Sequence, residues 1–246
     1  MLQRLLAIIL FLHSLAAVAQ DARNPYNLPL VTTIDGYLAE LGQNDDNRLI
    51  NLEALIPGLR LDIRYATDAN FTGRQIYPYP AAWLRKPAAL ALEKVQKSLD
   101  SLGLALVVYD AYRPYAATLK FYQVYPDTRF VADPAKGSRH NRGAAVDVGL
   151  VRKSDGSLLP MPTDYDHFGK EAFPANNNLP EDVKTNRDLL IRIMQLHGFE
   201  VLSSEWWHYD FAGWQQFSLL DLSFAELKRA AKKAGPSIHL NKEISH

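Results

Sequence analysis

The stretch SRHNRGAAVDVGLV, residues 138–151, decides how this chain is read. From Gly143 to Val151 it is an apolar strand. Ala144, Val146, Val148 and Leu150 share one face, and Ala145, Asp147 and Gly149 share the other. Asp147 is thus a carboxylate set among small and apolar neighbours, and a buried carboxylate requires a cation, a metal or several donors. His140 lies seven positions earlier, and Gly143 can turn the chain back toward the strand. Imidazole and carboxylate both suit a borderline-soft divalent ion. A third protein ligand has to come from elsewhere in the chain.

Glu205-Trp206-Trp207-His208 supplies that candidate. His208 completes a set of three protein ligands. Glu205 is placed to take a proton from an attacking water and hand it to a leaving amine. Trp206 and Trp207 are expected to wall the site and fix the histidine ring. Taken singly, each segment has a plainer reading: a surface His–Asp pair for the first, a helix-face or cross-strand polar pair for the second. A further segment, Asp110-Ala111-Tyr112-Arg113-Pro114, follows an apolar strand. There Arg113 either aims its five-donor fork at a carboxylate or developing oxyanion, or pairs with Asp110 and pins the turn.

Working outward, residues 20–32 read as a polar lead-in arm. In NLEALIPGLRLDIRYA (51–66), Leu59, Leu61 and Ile63 alternate with Arg60, Asp62 and Arg64, which predicts a half-buried strand. Residues 67–80 read as loop. Pro87 opens a helix whose stripe is Leu92, Val95, Leu99 and Leu102, ended by Gly103. LALVVY (104–109) is a strand, and Pro114 to about Tyr125 a helix. A turn at Lys153–Gly156 leads into a Pro-rich stretch at 160–180. Pro180 introduces a helix with Val183, Leu189, Leu190, Ile193 and Leu196, closed by Gly198; 199–211 is extended and 223–234 a peripheral amphipathic helix. Helices and strands mix without a repeating βαβ unit. The expected fold is α+β, a single domain with a small, mostly antiparallel sheet flanked by helices.

Composition bounds the function. Of 246 residues, 48% are hydrophobic and 22% charged, enough for a sizeable core and unlike a disordered chain. Lys+Arg and Asp+Glu both number 27, so no polybasic field points to nucleic acid. There is no cysteine, hence no disulfide and no thiolate nucleophile or ligand, and any metal must rest on His, Asp or Glu. Residues 1–19 have a basic Arg4, an apolar run from Leu5 to about Leu15 and a small-residue Ala17-Val18-Ala19 end. That pattern predicts a cleaved signal peptide, periplasmic delivery and no stable membrane insertion afterwards; an uncleaved membrane anchor is the alternative. The remaining 20–246 carries 26 basic against 27 acidic residues, a net charge of −1.

The spaced set Ser138-x-His140-x-x-Gly143-x-Ala145-x-Asp147 with Glu205-x-Trp207-His208 resembles the zinc D-alanyl-D-alanine dipeptidases of the VanX type. These fall within the D-Ala-D-Ala metallopeptidases, whose zinc fold the Hedgehog signalling domain shares. The likeness continues through Tyr65-Ala66-Thr67-x-x-Asn70-Phe71-Thr72-Gly73, Asp110-x-Tyr112-Arg113-Pro114 and Gly156-x-Leu158-x-Pro160-Met161, over about residues 50–210. It implies one Zn2+ per chain held by His140, Asp147 and His208, with Glu205 as general base and acid. It also implies Arg113 at the tetrahedral oxyanion, Ser138 hydrogen-bonded to substrate and Asp166 beside the substrate ammonium. Tyr65, Asn70 and Phe71 resemble pocket-side residues.

The implied activity is hydrolysis of the D-Ala-D-Ala dipeptide in cell-wall peptide turnover, with peptidoglycan fragments as further partners. Its alternatives are a D,D-carboxypeptidase or endopeptidase on longer stem peptides, and a non-catalytic zinc-stabilised binding module. The Arg113–His140 segment looks shorter than in VanX-like relatives, which implies a more open pocket lip. The C-terminal helix and tail, 222–246, match nothing in the resemblance.

Overall fold

The strand that carries Asp147 lies at the middle of a five-stranded sheet. The structure, a computed structural model, describes residues 23–235. The expected signal segment 1–19 and the end of the C-terminal tail lie outside the described residues. Elements run β1 (Leu30–Val31), α1 (Ile34–Gln43), β2 (Leu49–Asn51), α2 (Leu52–Leu55), β3 (Arg60–Leu61), β4 (Trp83–Arg85), α3 (Lys86–Asp100) and β5 (Leu104–Asp110). They continue with α4 (Tyr115–Val124), β6 (Ala145–Arg152), α5 (Glu181–Leu196), β7 (Phe199–Leu202), β8 (Glu205–Phe211), β9 (Leu219–Leu220) and α6 (Phe224–Ala234). The sheet order is β3-β5-β6-β8-β7; β3 runs parallel to β5 and every other pair is antiparallel. This is the expected α+β, mostly antiparallel arrangement. Among the described residues no helix is long and apolar enough to cross a membrane.

Local chemistry accounts for most boundaries. Pro87 sits in the first turn of α3, where a missing N–H costs nothing, and Leu92, Val95 and Leu99 form its buried stripe. Gly103 adopts φ +68° and feeds the chain directly into β5. Along β6 every residue from Ala145 to Val151 is buried, because both faces of the sheet are covered.

Several expectations change. Leu102 is 53% exposed and Leu196 73% exposed, since one lies past the end of its helix and the other on its last turn. The alternation at Leu59–Ile63 yields only Arg60–Leu61 as strand, because the chain coils into a single tight turn at Arg64–Ala66 that buries Tyr65. The extended 199–211 piece is a hairpin, β7–β8. The lead-in arm contributes β1, paired in parallel with β9, and α1 is an element the periodicity reading did not separate. Although expected at the periphery, α6 buries Phe224, Leu227 and Ala230, and the Phe224 ring stands edge-on to Tyr77 at 5.0 Å. Ser223 and Glu226 close its N-terminus as a reciprocal capping box.

Candidate metal centre and active site

Strand register assembles the site. Asp147 on β6 pairs with Asp110 on β5 and with His208 on β8, so residues from distant sequence lie side by side across the sheet. A bulge between Val108 and Asp110 makes room for Tyr109, whose ring lies against Gly149; a Cβ there would come 2.7 Å from the Tyr109 hydroxyl. His140 arrives from a single tight turn, His140–Arg142, ended by Gly143 at φ +66°. A Cβ on Gly143 would meet Leu49 Cδ2 at 2.5 Å, so glycine is required for space as well as conformation. Buried Asn141 holds this turn: its amide nitrogen donates to Arg113 O and Thr118 Oγ1, both at 2.9 Å, and its oxygen accepts from Ser138 N at 2.7 Å. Arg85, fully buried, donates to Arg142 O at 2.8 Å and ties the turn to β4.

Three ligand atoms converge. His140 Nε2 is 3.1 Å from His208 Nδ1, His208 Nδ1 is 3.0 Å from Asp147 Oδ1, and His140 Nε2 is 3.3 Å from Asp147 Oδ1. All three residues are buried. The outer nitrogens are already committed: His140 Nδ1 donates to Ala111 O at 2.7 Å, and His208 Nε2 faces Asp210 Oδ1 at 2.9 Å. Once the inner nitrogens are deprotonated, as metal binding requires, each ring turns a lone pair toward the others and toward a carboxylate oxygen. Three acceptors at these separations call for a cation, which is the proton held by His208 in the metal-free chain and a metal ion in its place once one binds. Ligand bonds of about 2.0–2.2 Å in a tetrahedral zinc site place ligand atoms about 3.3–3.5 Å apart, a few tenths of an ångström from this triangle. The donor set fits a single zinc ion.

The same crowding shows in the titrations. Burial alone would lower the His208 pKa, but Asp147 and Asp210 push it up to about 10. Burial works to raise that of Asp147, and the His140 and His208 rings outweigh it and hold the carboxyl below the ordinary range. Glu205 Oε2 lies 3.9 Å from His208 Nδ1, outside the triangle, and burial pushes its carboxyl up to about 7 against the pull of His208.

Around this centre is a cavity of about 560 Å³ lined by Glu205, Arg113, Asp166, Tyr65, Phe71 and Ser138 among others. Arg113 takes the turn-pinning role, with Nε and Nη2 on Asp110 Oδ2 at 3.0 and 2.9 Å, and it also reaches the cavity wall. Asp166 holds a left-handed backbone, φ +62°, uncommon for a non-glycine residue, and accepts the Tyr65 hydroxyl at 3.0 and 3.1 Å. Burial, reinforced by Asp147, raises its carboxyl well above the usual range.

Trp207 lines the cavity, but Trp206 does not: it is buried and donates Nε1 to Thr163 Oγ1 at 3.0 Å. Asn70 is a loop staple rather than a pocket residue, its amide donating to Thr67 O and Arg74 O. Ser138 lines the cavity while its hydroxyl accepts the His140 N–H at 3.2 Å. Asn141, Tyr165 and Asp210 were not anticipated. Asp210 had a signal, since it lies two residues beyond His208 on the same strand face.

Residues 45–227 match the family model for D-ala-D-ala dipeptidase (Peptidase_M15). The chain is 36% identical over 182 residues to a D-alanyl-D-alanine dipeptidase of Escherichia coli (strain K12), covering 74% of this chain and 94% of that protein. It is 33% identical over 178 residues to a D-alanyl-D-alanine dipeptidase of Enterococcus faecium, 64% of this chain and 88% of the relative. Among solved structures, the LdcB LD-carboxypeptidase is similar at a TM-score of 0.38 and 18% identity, over 74% of this chain and 78% of that one.

Proposed function

The chain belongs to the D-Ala-D-Ala dipeptidase family, and we propose that it is a zinc dipeptidase that hydrolyses D-Ala-D-Ala to two D-alanines in cell-wall peptide turnover. The observation that carries this reading is the triangle of His140, Asp147 and His208, with Glu205 close by but outside it. His140, Asp147 and His208 would hold a zinc ion, which would supply Lewis-acid polarisation of the scissile carbonyl and a more acidic water. Glu205, largely buried beside the triangle at 3.9 Å from His208 Nδ1, receives the proton from the attacking water and returns it to the leaving amine. The same proximity argues against a purely structural metal site, which needs no proton carrier.

Arg113, fixed by Asp110 at one edge, presents its remaining donors to the negative charge that develops on the carbonyl oxygen. Asp166 receives the substrate ammonium, held in place by the Tyr65 hydroxyl. Phe71 and Trp207 keep bulk water from the reacting bond. One observation favours a D,D-carboxypeptidase as second reading: the cavity of about 560 Å³, also lined by Arg129, Lys136, Arg139 and Trp214, has more room than two alanines fill.

Purified chain loaded with zinc is incubated with D-Ala-D-Ala, its N-acetyl derivative and a stem pentapeptide, and released D-alanine is counted. Fast release from the free dipeptide alone is the expected result. Preference for the blocked or longer substrates overturns the dipeptidase reading in favour of the second. We also propose export to the periplasm after cleavage before Gln20, supported by the pattern in residues 1–19; N-terminal sequencing of protein from cell fractions tests it.

A further inference from the structure

We infer that Tyr165 is a positioning residue that restricts Asp147 to ligating the metal through one oxygen. The inference rests on the reading of His140, Asp147 and His208 as a metal site. The two oxygens of Asp147 have different neighbours. Oδ1 faces the imidazole nitrogens at 3.0 and 3.3 Å, whereas Oδ2 accepts the Tyr165 hydroxyl at 3.0 Å. An ionised carboxylate oxygen is the stronger of the two acceptors within reach of that hydroxyl. The other, the Tyr65 hydroxyl oxygen, is 3.2 Å away. A phenol has one proton, so donation to Asp147 excludes donation to Tyr65. The Tyr65 proton is in turn directed at Asp166. Two separate hydrogen bonds result, Tyr165 to Asp147 and Tyr65 to Asp166, with the two phenol oxygens 3.2 Å apart and no proton left to join them.

The ring that carries the Tyr165 hydroxyl has little freedom. It stacks on Tyr109 with centroids 4.8 Å apart and an interplanar angle of 17°, and it stands edge-on to Trp207 at 5.6 Å and to Tyr65 at 6.1 Å. Tyr109 is itself seated over Gly149, the position two residues beyond Asp147 where a Cβ would collide with its ring. Strand β6 therefore carries both the ligand and the gap that seats its support. Removing the hydroxyl leaves Oδ2 without this donor. The carboxylate is then free to swing both oxygens toward the metal, which would occupy a coordination position, or to rotate Oδ1 off it.

Tyr165→Phe deletes the hydroxyl and keeps the stacked ring. Metal affinity is measured by competition with a chromophoric chelator, and ligand number by the visible spectrum of the cobalt(II)-substituted chain. Outer partners of metal ligands are worth about 10–100-fold in affinity, so binding at least about 10-fold weaker is expected, with a cobalt spectrum altered from the parent's. Tyr65→Phe, which removes the neighbouring hydroxyl but not the one on Asp147, is expected to bind metal as the parent does. The thermal midpoint of the metal-free Tyr165→Phe chain should match the parent's, which separates positioning from a folding defect. Unchanged affinity and cobalt spectrum in Tyr165→Phe overturn the inference, as does an equal loss in Tyr65→Phe. If the parent chain binds no zinc or cobalt at all, the metal-site reading itself fails.

Discussion

Replacing Glu205 with Gln should slow turnover severely and make the metal-free form more stable. Burial raises the Glu205 carboxyl from 4.5 to about 7. A shift of roughly 2.5 units, at about 1.36 kcal/mol each, means that ionised Glu205 costs the metal-free fold on the order of 3 kcal/mol. The side chain is only 12% exposed, so solvent screening discounts this little. An acid raised on folding favours its protonated form in the native state. The penalty is therefore absent below pH 4.5, grows between 4.5 and about 7, and is complete above that. Glutamine keeps the shape and removes the charge. Urea unfolding in the presence of a chelator should show no difference at pH 4.5, and at pH 8 a gain of up to about 3 kcal/mol, or about 6–12 °C in Tm for a chain of this length. Turnover should fall by about 10²–10⁴-fold while zinc stoichiometry stays at one. Equal or lower stability at pH 8 would refute the electrostatic reasoning, and near-normal turnover would refute the proton-carrying role.

Asp166→Asn should raise KM for free D-Ala-D-Ala by about 10–100-fold, the worth of a charged hydrogen bond, and leave an N-acetylated dipeptide unaffected; equal effects on both would separate Asp166 from the ammonium. Arg113→Met strands the fully buried Asp110 carboxylate and should cost about 3–5 kcal/mol in chemical denaturation, with Tyr77 and the Ala111 N–H as its remaining donors. Gly143→Ala combines a left-handed backbone with a collision against Leu49 and should lose about 2–4 kcal/mol. Gly156→Ala, at φ +69° but with open space around it, should lose only the backbone part, about 1–2 kcal/mol. Matching losses at the two glycines would remove the role given to Leu49.

Much of the site was legible because its signals are local. Ala144, Val146 and Val148 around Asp147 mark a buried strand, and a carboxylate there needs a positive partner whatever the rest of the chain does. Pro87, Gly103, Pro180 and Gly198 bound their helices through backbone constraints that each residue carries with it. Arg113 was legible only as a choice, since pairing with Asp110 and lining the cavity are not exclusive once both are placed. Tyr165 had no signal in its own Pro-rich loop, because its hydroxyl acquires a role only when the loop crosses above β6. The helix at 224–234 read as peripheral because its amphipathic pattern is the same whether a partner face covers it or water does.

The chain's own residues therefore determined which groups can bind a cation and carry a proton, and which way each strand face points. Tertiary structure decided the pairing of Asp147 with Asp110 and His208, the approach of Asp210 and Tyr165 to the ligands, and which tryptophan reaches the cavity. Pairing register is selected by burying whole strands together, and a slip of one residue would turn Asp147 to the other face. Residue type and spacing can therefore name the ligands, but only the packed sheet brings them within about 3 Å of one another.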